Sequence, residues 1–121
     1  MKNPEETLRI WQKRLSMSDW RMTLHADVIP ADMLLPDCAG ASDWREATKT
    51  ACITLLREDC YGNRIVPYDP EKTLIHELLH LKFSLLSESG NELQDRIVHQ
   101  LIDDMARALC DAARNGEEGE K

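Results

Sequence analysis

Leu8, Trp11 and Leu15 recur at intervals of three and four residues, with Arg9, Lys13 and Arg14 falling between them. This is the period of a helix with one apolar face, and it predicts a short amphipathic helix from Glu5 to Ser16, with Pro4 suited to its first turn. The period then changes. From Trp20 to Val28 the residues Trp20, Met22, Leu24, Ala26 and Val28 alternate with Arg21, Thr23, His25 and Asp27, which predicts a half-buried strand. Pro30 to Ala41 carries two prolines, one glycine and no sustained period, so it reads as a loop with a helical turn around Ala31 to Leu35, pinned by Met33 and Leu34. Two short strands are expected next, roughly Asp43 to Ala47 and Ala51 to Leu56, joined by a turn near Thr48-Lys49-Thr50. Arg57 to Tyr68, with Gly62-Asn63 and Pro67, reads as a polar connection.

Asp69-Pro70-Glu71 is a helix start: Asp can cap free amides, Pro tolerates the first helical position, and Glu favours the positive end of the dipole. The helix should run from Pro70 to about Leu86. Leu74, Ile75, Leu78, Leu79, Leu81, Phe83, Leu85 and Leu86 surround it, which predicts the most buried helix of the domain. Ser87 to Asn91, with Gly90, should break it. A last helix, about Glu92 to Ala113, carries Val98, Leu101, Ile102, Met105 and Leu109 on one face. Residues 1–115 then form a single domain, and 116–121 an acidic disordered tail. The expected fold class is α+β: an N-terminal helix, a small three-stranded sheet, a central helix and a C-terminal helix.

Composition narrows the function classes. At 121 residues and 42% hydrophobic, a chain of this size buries roughly two-thirds of its unfolded surface and can hold one core without disulfide staples. It carries 15 Lys+Arg against 22 Asp+Glu, a net charge of −7, which argues against a nucleic-acid partner because phosphate binding needs a basic face. No apolar run approaches the roughly 20 residues of a membrane-spanning helix, so no membrane partner is expected. Met1 to Glu6 is polar and acidic, unlike a secretory signal. Cys38, Cys52, Cys60 and Cys110 form no C-x-x-C pair, and a cytoplasmic location with reduced thiols is the expectation.

The chemistry lies in His76-Glu77-Leu78-Leu79-His80, in the middle of the central helix. Histidines four apart stand one turn above the other, so both imidazoles can converge on one metal ion, while Glu77 projects to the side where it can reach a water. This is the H-E-x-x-H arrangement of zinc metallopeptidases. The bland alternative has His76 and His80 as core histidines bonded to backbone carbonyls, with Glu77 exposed. Three ionisable groups in so apolar a helix are costly without a partner, which favours the metal. A catalytic zinc needs a third protein ligand and an open position. Glu88, Glu92, Asp95, His99 and Asp103 are candidates from the last helix. Glu88 and Glu92 flank the Gly90 break, too near the turn to reach back. Of the rest, His99 is preferred to Asp95, because imidazole is the commoner ligand and Asp103, four residues on, can orient a ligating histidine. Asp95 stays open as the alternative, and His99 could instead be a surface histidine paired with Asp95 or Asp103.

Thr73-Leu74-Ile75-His76-Glu77-Leu78-Leu79-His80-Leu81, followed by the closing helix, resembles the small single-domain zincins encoded in phages and bacterial genomes, relatives of the minimal gluzincins. In the gluzincin pattern a Glu on the next helix is the third ligand, with an acidic or amide residue four positions later. His99-Gln100-Leu101-Ile102-Asp103-Asp104-Met105-Ala106 is similar to that segment, with His99 in the ligand position and Asp103 in that of the orienting carboxylate; His in place of Glu departs from the pattern. The opening is more loosely similar, Trp11, Leu15 and Asp19-Trp20 matching a helix-then-sheet start. The resemblance implies a minimal zincin fold and a zinc metallopeptidase acting on a protein or peptide, with zinc on His76, His80 and His99 and Glu77 as general base. It also implies an edge strand that aligns substrate, for which Ala51 to Leu56 is the similar element. Tyr61, Tyr68 and His25 could stabilise an oxyanion by residue type alone. By its position in the alternation His25 should be simply exposed, and Trp11, Trp20 and Trp44 should be packing residues. Two rivals remain: a non-catalytic zincin-fold module that binds a partner such as a host factor, and a metal-free helical interaction domain.

Overall fold

The computed structural model describes residues 1, 3–62, 66–84 and 91–119. Helix α1 spans Pro4–Arg14 and is started by Asn3, whose Oδ1 accepts from the Glu6 amide at 3.1 Å. It buries Leu8 and Trp11 as the spacing predicts, and also Gln12. The buried amide is satisfied: Gln12 Nε2 donates to the carbonyls of Met17 and Trp20, both at 3.1 Å, closing the turn into the sheet.

Three strands follow, β1 (Arg21–Val28), β2 (Gly40–Arg45) and β3 (Thr50–Leu56), in the spatial order β1-β3-β2. β3 runs parallel to β1 and antiparallel to β2. The sequence placed β1 and β3 to within a residue, but β2 begins three residues before the expected Asp43 and ends at Arg45. Its register pairs Gly40 with Leu55 and Arg45 with Thr50, and the chain turns back over Glu46 to Lys49. Gly40, Ala41 and Ser42 carry little strand propensity of their own, and cross-strand pairing with β3 is what makes them a strand. The sheet order also corrects the expectation for Ala51 to Leu56. That segment is the central strand, bonded on both sides, and cannot accept a further strand; β2 is an edge strand and lines a cleft against α2.

Helix α2 spans Pro70–Lys82, with Asp69 as its cap accepting from the Lys72 amide at 3.3 Å. Leu74, Ile75, Leu78, Leu79 and Leu81 are all buried, which makes α2 the centre of the molecule, as its all-round apolar surface predicts. α2 ends at Lys82, capped at Phe83, short of the expected end near Leu86, and the expected break around Gly90 lies outside the described residues. Helix α3, Glu92–Gly119, runs past the expected end at Ala113 and into the segment expected to be a disordered tail; residues 120 and 121 lie outside the described residues.

The core joins Met22, Ala51, Ile53 and Leu55 from one sheet face to Leu8 and Trp11 of α1, the α2 leucines, and Ile102, Ala106 and Cys110 of α3. The α3 face matches the expected one in part: Ile102 is buried and Val98 and Leu109 pack against the core, but Leu101 is 54% and Met105 39% exposed. The buried row is Ile102, Ala106 and Cys110, spaced by four, and two of the three are small enough to let α3 lie close along α2. That rotation turns His99 and Asp103 toward α2.

Candidate metal centre

His76 and His80 lie on successive turns of α2, and their Nε2 atoms are 3.0 Å apart. His99 enters from α3, with ring centroids 5.3 Å from His76 and 5.1 Å from His80, against 4.7 Å between the two α2 rings. One ligand atom from each of the three lies within 4.8 Å of the others, and the group could hold a metal ion. Asp95 is not in it. The α2 rings are half-buried and the His99 ring exposed, and all three line one open cleft.

Burial favours the neutral imidazole. It holds His76 below the usual histidine range, with the His99 charge adding to the effect and Asp103 opposing it. His80 is pushed down to about 4 by burial, then by His76 and His99. Neutral imidazoles are the form that ligates.

Asp103 faces His76 and not the expected His99. Its Oδ1 is 3.6 Å from His76 Nδ1, and its Oδ2 accepts from Arg107 Nη2 at 2.8 Å. Pairing along one helix made His99 the obvious partner. The packing of α3 on α2 points the carboxylate across the interface instead, toward the ring nitrogen of His76 remote from His80.

Glu77 is buried to 8% exposure, contrary to the bland alternative that leaves it in solvent. Its Oε1 accepts from the Ser42 hydroxyl of β2 at 3.0 Å. Burial pushes its carboxyl up to about 7, partly opposed by that hydrogen bond. Glu77 and the three histidines line one cavity of about 510 Å³, whose other walls include Leu35, Ser42 and Trp44.

Ser42 is the site residue that the sequence reading missed. A serine in a weak strand carries no local signal, and it meets Glu77, 35 positions away, only through the β2–β3 pairing. The three oxyanion candidates are not brought to this cavity. His25 is exposed on β1 as its place in the alternation predicts. Tyr68 donates to the Leu56 carbonyl at 2.7 Å, and Tyr61 stacks on it at 4.8 Å and donates to the Val66 carbonyl. Trp11 is buried in the core, as expected of a packing residue; Trp20 and Trp44 are partly buried against it, and Trp44 also walls the cavity.

Compared with protein-family models, curated proteins and solved structures, the chain matches none.

Proposed function

We propose that the protein is a zinc metallopeptidase that hydrolyses a peptide bond in a protein or peptide substrate. The observation that carries this reading is the convergence of His76, His80 and His99 from two helices beside a buried carboxylate, Glu77, in one open cavity. The donor set fits zinc. Ligand nitrogens on a tetrahedral zinc are roughly 3.3 Å apart for bonds of about 2.0–2.1 Å, and the two α2 nitrogens already stand 3.0 Å apart. Three imidazoles leave a fourth position open, the ligand count of catalytic rather than structural zinc.

When bound, zinc supplies a Lewis acid that polarises a carbonyl and brings a water molecule toward ionisation near neutral pH. The chain's own residues do the rest. Glu77 accepts a proton on its free oxygen, Oε2, and returns it to the leaving amine, a task suited to a carboxyl lifted to about 7. His76, His80 and His99 hold the ion, with Asp103 restraining the His76 ring. β2, an edge strand lining the same cavity, offers backbone groups to an extended substrate.

The test is Glu77→Gln, assayed against a pool of quenched-fluorescence peptides together with metal content. Loss of cleavage with zinc retained supports a peptidase. Cleavage at the wild-type rate contradicts the role of Glu77, and zinc-loaded wild type that cleaves none of the pool favours a non-catalytic binding module.

A further inference from the structure

Glu77 carries three rotatable side-chain bonds, yet a general base must present one oxygen in one direction. On α2 alone nothing fixes it. The restraint comes from β2, where two residues on the helix-facing side of the strand act together. Ser42 donates to Glu77 Oε1 at 3.0 Å, and Oε2 has no hydrogen-bond partner among the described residues. Gly40, two residues earlier on the same side, lies so close to α2 that an added Cβ would stand 2.5 Å from Thr73 Cγ2 and 3.4 Å from Glu77 Cγ. At 2.5 Å something must shift, and Thr73 is not free to turn away, because its Oγ1 donates to the Asp69 carbonyl at 3.0 Å.

We infer that Gly40 and Ser42 form a seat on the edge strand that positions the general base: the missing side chain at Gly40 lets β2 approach α2, and the Ser42 hydroxyl then holds Oε1 so that Oε2 faces the cavity. Ser42 is a positioning residue. It keeps its own proton throughout, while Oε2 receives the proton of water and passes it to the leaving amine. The same strand that offers its edge to substrate thus also sets the direction of the base. This inference rests on the peptidase reading for its catalytic meaning, but the seat itself is testable without it.

Two measurements separate them. In urea unfolding of the chelator-treated full chain, a double-mutant cycle of Ser42→Ala with Glu77→Ala should be non-additive by about five-fold or more in the folding equilibrium constant; additivity overturns the seat. On the peptide pool, zinc-loaded Ser42→Ala should lose about ten-fold or more in kcat with KM within about two-fold and zinc content unchanged, and Ser42→Thr, which keeps the hydroxyl, should recover most of the loss. An unchanged kcat in Ser42→Ala, or no recovery in Ser42→Thr, overturns the positioning role. Gly40→Ala should lower kcat as Ser42→Ala does, and adding Thr73→Ser, which deletes the clashing methyl but keeps the hydroxyl, should restore it. If Gly40→Ala does not fold, the Ser42 variants decide alone. If wild type cleaves nothing, the peptidase reading fails while the unfolding cycle still judges the seat.

Discussion

At the scale of single residues the centre is a set of polar groups in the most apolar part of the chain, each with a defined partner. Glu77 is held by Ser42, His76 faces Asp103, and Asp103 is shared with Arg107. Replacing Glu77 by Gln preserves shape and the Ser42 contact, so we expect a loss of about 10²- to 10⁴-fold in kcat with zinc still bound, read by peptide cleavage and elemental analysis. Asp103→Asn removes the charge facing His76 and should weaken zinc binding by about 10- to 100-fold, read by competition with a chromogenic chelator. His76, Glu77 and His80 were legible in the sequence because a helix fixes the relation of residues one and four apart. His99 was legible one step further, since it needed only that the next helix pack alongside. Ser42 and the true partner of Asp103 were not legible, because strand pairing and helix rotation decide them and neither is written in a local period.

Secondary-structure elements bring these residues together, and two contacts between helices are decisive. Arg114 of α3 forks onto Asp69, the cap of α2, with bonds of 2.8 and 2.9 Å. That guanidinium holds the Asp69 carboxyl below the usual carboxylate range, with the Lys72 amide helping and burial opposing. A carboxylate whose pKa is depressed on folding stabilises the native state above its unfolded value of about 3.9, and this is lost as pH falls through the folded value. Arg114→Met should therefore cost about 1 kcal/mol near pH 7, the pair being partly exposed and screened, and the difference from wild type should shrink toward zero as pH drops below about 4. Urea unfolding at a series of pH values checks it.

Ala106 tests the second contact. It is fully buried where α3 lies along α2, so Ala106→Leu should cost about 1–3 kcal/mol and separate His99 from the α2 histidines. Leu101→Gln, on the exposed flank, should stay within about 0.5 kcal/mol of wild type. Melting and zinc titration of both variants check this pair. The sequence made α2 plain, since its apolar residues leave no polar side, and it located α1 and β1 by their periods and β3 as a short apolar run after a turn. On α3 it placed Val98, Ile102 and Leu109 on the packed face but also Leu101 and Met105, which are larger and more apolar than the Ala106 and Cys110 that the close approach of the helices requires. The order β1-β3-β2 was out of reach because β2 is defined by its partner rather than by its own residues.

For the whole molecule, the three histidines lie at the rim of one continuous core. The buried cluster runs from Leu8 through Ile53 and the α2 leucines to Cys110, and the cation would join α2 to α3 beside it. Chelation should leave a folded protein that melts at a lower temperature, since saturating zinc at about 100 times its Kd adds about 2.7 kcal/mol. Among the described residues no helix is long and apolar enough to cross a membrane.

Zinc stoichiometry of protein purified without added metal, measured beside His76→Ala and His99→Ala, tests the three-histidine centre most directly. We expect about one zinc per wild-type chain and well under half of that in either variant, because a catalytic zinc takes three protein ligands. Wild type without stoichiometric zinc, or His99→Ala with wild-type zinc content and affinity, would contradict it.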